Sequence, residues 1–333
     1  MPPACYMAMD AYLCAIKYAK RSIPKSALFA FNTCIDAVVK TTPQMLLCLP
    51  LIQKDRHVRE AVLSSLQREI TIDKEELSFL RKTFPRPQYR IGGQAGQAAE
   101  VARALGVLPI IFPERKKKEL PIHYVFEYCN SLGMCNRIIA SYEPQPMIPQ
   151  AGLHLPKRLL RSLSHAFLGG FHLMKSKEEI MQSAKIIHAW KKQNPHLRIF
   201  VELGDFQKKE VLAAAKKYVL PPADCEGMNE EELFLLTGRH GIDAIKKLPK
   251  GTGKILFHSP NFSFTLPKDE GDEQALLFAR LVCSYRAKYG KNPSFSSLAK
   301  YAKTSPSLHI ENPKFTVGLG DAFSCAYFLA AKR

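Results

Sequence analysis

Short apolar runs alternate along most of the chain with longer segments of helical periodicity. Ala27–Phe31 has the pattern of a buried strand ending at Asn32, and Ile35–Val39 continues it. Asn32 and Asp36 are therefore expected at the carboxyl end of one strand. Residues 43–85 are helical in composition, and Thr71-Ile-Asp-Lys-Glu offers a capped start to a helix over Glu75–Lys82. Arg86-Pro-Gln breaks that pattern. Ile91-Gly-Gly-Gln-Ala-Gly then leads into a helix over Gln97–Leu105, and Val107–Phe112 reads as the next strand. His123–Tyr128 and Arg137–Tyr142 alternate about the turn-forming Asn130-Ser-Leu-Gly, which predicts a hairpin. Beyond it, strands at Ala166–Met174, Arg198–Leu203, Lys254–His258 and Phe262–Leu266 are predicted. Helices are predicted at Lys177–Gln193, Gln207–Lys217, from Met228 to Leu236, and at Glu273–Tyr289.

This alternation predicts an α/β fold with a mostly parallel central sheet covered by helices on both faces. The hairpin and the helical 43–85 region interrupt it. The expected division is a large α/β domain of residues 1–36, 89–119 and 143–333, with a small, partly β lid of residues 37–88 and 120–142.

Composition narrows the classes. Of 333 residues, 46% are apolar and 23% charged, which excludes wholesale disorder. The longest apolar runs, such as Gln44–Ile52, fall far short of the roughly 20 residues that span a bilayer. No signal-peptide pattern precedes Asp10. A soluble protein without a membrane partner is expected. The charge balance, 48 − 30 = +18, attracts anions. Its densest runs, Arg115–Lys118 and Lys157–Arg161, lack the interleaved aromatics of a single-strand groove. Anionic metabolites are thus favoured over nucleic acid. The nine cysteines include no C-x-x-C pair and are odd in number. Neither a disulfide framework nor a zinc site is expected, and a reducing cytoplasm is the natural compartment.

The stretch richest in chemistry is Phe315-Thr-Val-Gly-Leu-Gly-Asp-Ala-Phe-Ser-Cys-Ala. Glycines at a helix N-terminus let backbone N–H groups converge on an anion. An Asp directly after them sits where it can take a proton from an attacking hydroxyl. A plain glycine turn with a capping Asp has the same pattern. Three further elements precede it in order: Ala30-Phe-Asn-Thr-Cys-Ile-Asp-Ala-Val, Gly92-Gly-Gln-Ala-Gly and Asn229-Glu-Glu-Glu-Leu.

Together these resemble the ribokinase superfamily, and within it the ADP-dependent glucokinase and phosphofructokinase family. Ile122-His-Tyr-Val-Phe-Glu-Tyr and Asn136-Arg-Ile-Ile-Ala-Ser-Tyr are similar to that family's lid strands. The resemblance runs from about Ala27 to the C-terminus and implies a three-layer ribokinase-like domain with a lid that closes over a sugar. It implies Asp321 as the catalytic base, with the amides around Gly318, Leu319 and Gly320 as the anion hole. It implies ADP as phosphoryl donor, AMP as product and Mg²⁺ as cofactor, with Glu202 and Glu232 on the metal side. Asn229, His258 and Val317 are expected at the nucleotide. Asn32, Asp36, Gly92, Gly93, Gln94 and Arg137 are expected at a sugar or sugar phosphate, glucose or fructose 6-phosphate. A monomer or small homo-oligomer is expected.

Departures are visible. The family's His-x-Glu has Phe200 in place of the His, and Cys34 replaces the second Asn of Asn-x-Asn-Ile-Asp. Cys129–Asn136 carries no Lys or Arg to clamp a sugar phosphate. His123, His165, His172 and His188 show no ligand spacing. Acidic residues 230–232 equally suit the first turn of a helix. Two other readings stay open: an ATP-using sugar or nucleoside kinase of the wider superfamily, and a non-catalytic basic binding protein on a kinase scaffold.

Overall fold

The computed structural model describes residues 3–332 apart from 116–119, 132, 134, 145–146, 149–154, 249–252, 260, 306 and 311–317; for 3–7 and 242 it describes the backbone alone. The chain forms two compact units. The larger comprises Met1–Asn32, Gln94–Pro113 and Ile148–Arg333; the smaller comprises Thr33–Gly93 and Glu114–Met147.

In chain order the strands are β1 (Ser26–Phe31), β2 (Cys34–Thr41), β3 (Arg68–Thr71), β4 (Gln88–Gly92), β5 (Leu108–Phe112) and β6 (Ile122–Cys129). They continue as β7 (Cys135–Tyr142), β8 (His165–Gly169), β9 (Arg198–Glu202), β10 (Cys225–Met228), β11 (Lys254–His258) and β12 (Ser263–Leu266). The larger unit carries a seven-stranded sheet in the order β12-β11-β10-β9-β8-β1-β5, parallel except for β12. This is the α/β architecture that the alternation predicts.

Strands buried on both faces read as continuous apolar runs. Phe29, Phe167, Phe200 and Leu256 meet the helices Gln94–Ala104, Asp272–Tyr289 and Leu319–Ala330 on one face. On the other, Leu28, Leu168, Ile199 and Val201 are fully buried as well, and the helix Lys177–Gln193 brings Trp190 onto Phe31 and Phe112. Among the described residues no helix is long and apolar enough to cross a membrane.

The smaller unit carries a five-stranded sheet in the order β3-β7-β6-β2-β4. Tyr124, Phe126, Ile138 and Ala140 pack from one face onto short helices through Leu46, Val58, Leu77 and Leu80. The helix Lys74–Thr83 has the capped start that Thr71-Ile-Asp-Lys-Glu offers, in the form of a capping box: Asp73 accepts from Glu76 N, and Glu76 accepts from Asp73 N.

Several sequence expectations need correction. Asn32 ends β1, but Asp36 lies inside β2 of the other sheet, so the two do not share a strand. The chain changes sheets at Asn32 and Thr33, which an unbroken apolar pattern conceals. The strand expected over Ala166–Met174 stops at Gly169, where Gly170 takes φ +90° and one turn of 3₁₀ helix follows. β3 and β4 fall where the sequence predicts a helical region and a break. Both are edge strands whose side chains are mostly half-buried or exposed, so neither shows apolar alternation. Cys129 and Cys135 form a disulfide where the hairpin register sets them opposite each other. The absence of C-x-x-C spacing was no guide to that pairing.

Asp272 ties the far edge of the large sheet together. Its carboxylate accepts from Lys254 Nζ (2.7 Å), Thr265 Oγ1 (3.0 Å), Asp269 N (2.7 Å) and Tyr327 OH (2.7 Å). Burial alone would raise its pKa; the Lys254 ammonium, the Asp269 amide and the Tyr327 hydroxyl outweigh that and hold it below the usual carboxylate range. Its stabilisation is fully present above the unfolded pKa of about 3.9 and is lost as the pH falls through the lower folded value. Asp272→Ala should therefore cost about 3 kcal/mol near neutrality, read from denaturant midpoints. The gap to the native chain should narrow in strong acid. A gap of constant size from neutral to strongly acid pH contradicts this account.

Candidate active site

The carboxyl ends of parallel strands are where α/β sheets gather ligands, because loops and helix N-termini converge there. In the larger unit β9 ends with Glu202, β10 leads into Asn229, and β11 ends with His258. Gly227 on β10 stands between Glu202 and Leu256 in the register. A Cβ there would lie 2.2 Å from Glu202 Oε2. A glycine at that point is what allows the Glu202 carboxylate to lie across β10, with its Oε1 3.5 Å from His258 Nε2. Phe200, which stands where a histidine was expected, is fully buried and stacks on Phe167. Histidine chemistry reaches Glu202 from β11 instead.

Gly318 takes φ +65° and caps the helix Leu319–Ala330, so Gly320 and Asp321 fall in its first turn. A Cβ on Gly320 would lie 3.1 Å from His258 Cε1, so the glycine turn lies directly against the imidazole. Val317 lies outside the described residues. Asn229 caps the helix Glu230–Thr237 and forms a second capping box: its side chain accepts from Glu232 N (3.0 Å), and Glu232 Oε2 accepts from Asn229 N (2.9 Å). The capping reading of this acidic turn is thus realised in the structure. It does not exhaust the role of Glu232, whose charge also acts on its neighbours.

Three carboxylates share this corner. Burial pushes the Glu202 carboxyl well above the usual carboxylate range, and the negative charge of Asp321 adds to it. Burial pushes Glu232 up to about 8, with Glu202 adding to the rise and His258 and the Asn229 amide opposing it. Burial lowers the His258 pKa. Glu202 Oε2 has no hydrogen-bond partner among the described residues. Such a set is short of positive charge, and hard oxygen donors of this kind suit a hydrated Mg²⁺.

Among the other expected site residues, Asn32 is buried where β1 meets the helix Gln94–Ala104, and its carbonyl accepts from Gly96 N (3.2 Å). Gln94 opens that helix, donates through Nε2 to Leu203 O and accepts from Gly170 N (2.6 Å). Its amide thus ties the ends of β8 and β9 and keeps one N–H for other work. In the smaller unit, Asp36, Gly92 and Arg137 share the face of the sheet opposite its apolar core. A Cβ on Gly92 would lie 1.9 Å from Asp36 Oδ1, so only glycine leaves room for that carboxylate. Gly93 follows with φ +75°. Arg90 pairs with Asp36 in the register, and Arg137 with Glu127.

The sequence model of the ADP-specific phosphofructokinase/glucokinase conserved region matches residues 113–252. The family resemblance read from the sequence is borne out. The fold agrees. A solved "ADP-dependent kinase complex with fructose-6-phosphate and ADPbetaS" superimposes with a TM-score of 0.77 at 17% identity, over 97% of either chain. A structure of the last common ancestor of ADP-dependent phosphofructokinases from Methanosarcinales gives 0.68 at 18%, again over 97% of both. A phosphofructokinase from Pyrococcus horikoshii OT3 with AMP gives 0.65 at 16%, over 92% of this chain and 98% of its own. At these identities the likeness shows the shared fold.

Within that architecture the structure brings together Glu202, Glu232, His258, Gly320 and Asp321. Sequence reasoning passed over Gly227 and the cluster of Cys34, Asp36 and His123. The first was legible only as a glycine inside a short strand. The second left one trace, Cys34 and Asp36 two apart in a strand pattern and so on one face.

The raised Glu232 pKa has a measurable consequence when divalent cations are chelated. Because the folded state holds its proton up to about 8 against an ordinary 4.5, its stabilisation is full below 4.5 and is lost as pH rises through 8. Thermal unfolding of the chelated protein should shift downward over that interval. Glu232→Gln should flatten the shift. An equal slope in both proteins would assign it to other groups.

Proposed function

We propose that this protein is an ADP-dependent sugar kinase. It transfers the β-phosphoryl group of ADP to a hydroxyl of a hexose or hexose phosphate, glucose or fructose 6-phosphate, and releases AMP. The observation that carries this reading is the placing of Asp321 in a glycine-capped first helical turn against the Glu202, Glu232 and His258 group. Phosphoryl transfer asks little covalent work of a protein; it asks for positioning and for charges to be balanced. Asp321 takes the proton of the acceptor hydroxyl as its oxygen bonds to the β-phosphorus. The bond from that phosphorus to the bridging oxygen breaks, and AMP leaves with the electron pair. Amides of Gly318, Leu319 and Gly320 receive the equatorial oxygens, helped by the helix dipole.

Glu202 and Glu232 would hold Mg²⁺ through its water shell, and the ion when bound neutralises phosphate charge. Asn229, His258 and Val317 are assigned to the nucleotide. Asn32, Asp36, Gly92, Gly93, Gln94 and Arg137 are assigned to the acceptor. A carboxylate accepts hydrogen bonds from paired hydroxyls, and the glycines let a ring approach backbone. Arg90 and Arg137, on the same sheet face as Asp36, supply cations for a sugar phosphate. The match to a kinase solved with fructose 6-phosphate supports that acceptor. The expected setting is a cytoplasmic enzyme, monomeric or a small homo-oligomer.

A screen of ADP, ATP and pyrophosphate against glucose, fructose 6-phosphate and ribose tests this directly. ADP with a hexose or hexose phosphate should give the highest kcat/KM, with AMP as product. A clear preference for ATP would move the protein to the wider superfamily without disturbing the fold. Asp321→Asn should lower kcat by about 10²–10⁴ while ADP still binds; retention of more than half of kcat rejects Asp321 as the base. Glu232→Gln should raise the Mg²⁺ concentration for half-maximal rate and leave sugar affinity without nucleotide unchanged. Lower thermal stability with an unchanged Mg²⁺ titration would leave Glu232 with capping alone.

A further inference from the structure

The polar face of the small sheet holds a buried cluster of which only Asp36 enters the proposed acceptor site. Cys34 and Asp36 project from one face of β2, two residues apart. His123 on β6 stands beside Asp36 in the parallel register. All three are buried, at 0%, 5% and 3% exposure. Cys34 Sγ lies 3.4 Å from Asp36 Oδ1 and 3.4 Å from His123 Nδ1. The three donor atoms lie within 4.8 Å of one another. On its far side His123 Nε2 meets Glu143 Oε1 at 2.8 Å, and Glu143 is itself 8% exposed.

We propose that Cys34 Sγ, Asp36 Oδ1 and His123 Nδ1 form a binding site for a borderline-soft divalent cation of the zinc class, with Glu143 orienting the imidazole. Zn–S bonds of about 2.3 Å and Zn–N or Zn–O bonds of about 2.0 Å at tetrahedral angles place a sulfur about 3.5 Å from its neighbouring donors. The observed 3.4 Å separations already match that spacing. One thiolate, one imidazole and one carboxylate is a donor set that selects zinc over Mg²⁺, which takes oxygen ligands. A carboxylate on the distal nitrogen of a ligating histidine fixes the ring and raises its basicity, and Glu143 stands there. Three protein donors leave a fourth position for water or a substrate oxygen. Cys34 stands where the pattern of the resembled family has asparagine, and it supplies the thiolate that gives this donor set its softness.

The proposal is read by metal binding alone and is independent of phosphoryl transfer. Chelator-treated protein with the Cys129–Cys135 disulfide intact is titrated with Co²⁺, which reports its ligands optically. One equivalent should produce a thiolate-to-metal charge-transfer band with the intense visible bands of a tetrahedral ion, and Zn²⁺ should remove both. Cys34→Ala should abolish the charge-transfer band, whereas changing the exposed Cys14 and Cys48 to Ala should leave it. Glu143→Gln should weaken affinity about 10–100-fold. No thiolate band in the native chain, or an undiminished band in Cys34→Ala, overturns the site. Should Cys34→Ala fail to fold, X-ray absorption of the zinc-loaded native protein decides. One sulfur with two or three nitrogen or oxygen neighbours supports the site; no sulfur, or two or more, overturns it.

Discussion

Like charges that cannot escape into water govern the large unit. Glu202, Glu232 and Asp321 sit close enough for each to feel its neighbours, in a corner where burial already disfavours their ionised forms. Such an arrangement is unfavourable in an isolated fold and is retained only where a ligand compensates it. Under the proposed function a nucleotide with its cation would do so, with its anionic part at the helix N-terminus that Gly318 caps. The corner depends in turn on one small detail. Without the glycine at 227, Glu202 could not lie across β10, and its approach to His258 would be lost.

The small unit is organised by a sheet with one apolar and one polar face. Its apolar face is closed by short helices, so the polar face is the one available for chemistry. Gly92 makes space for Asp36, while Cys34 and His123 tighten around that carboxylate. Asp36 thereby carries two proposed roles, as a hydroxyl-binding carboxylate for the acceptor and as one of three donors to a soft cation.

What the sequence determined alone was whatever depends on neighbours along the chain. Apolar periodicity located Lys177–Gln193 and Lys254–His258 to the residue, and capping chemistry put a helix start at Glu75, one residue from the observed Lys74. The order of four short motifs was enough to carry the resemblance to the ADP-dependent kinases. Each of these signals is local, because backbone hydrogen bonding and capping act over three or four residues. Edge strands β3 and β4 escaped because half their surroundings are solvent, so no apolar alternation marks them.

Tertiary structure decided everything that depends on register between strands. That Asn32 and Asp36 part into different sheets, and that Cys129 meets Cys135, follows from which strands pair and where they are aligned. So does the return of a histidine to Glu202 from β11 after Phe200 had removed it from β9. Cys34 and His123 are 89 residues apart yet in contact. A chain records its local preferences residue by residue, but the juxtaposition of distant side chains exists only once the sheets are aligned, and that is where this protein's chemistry lies.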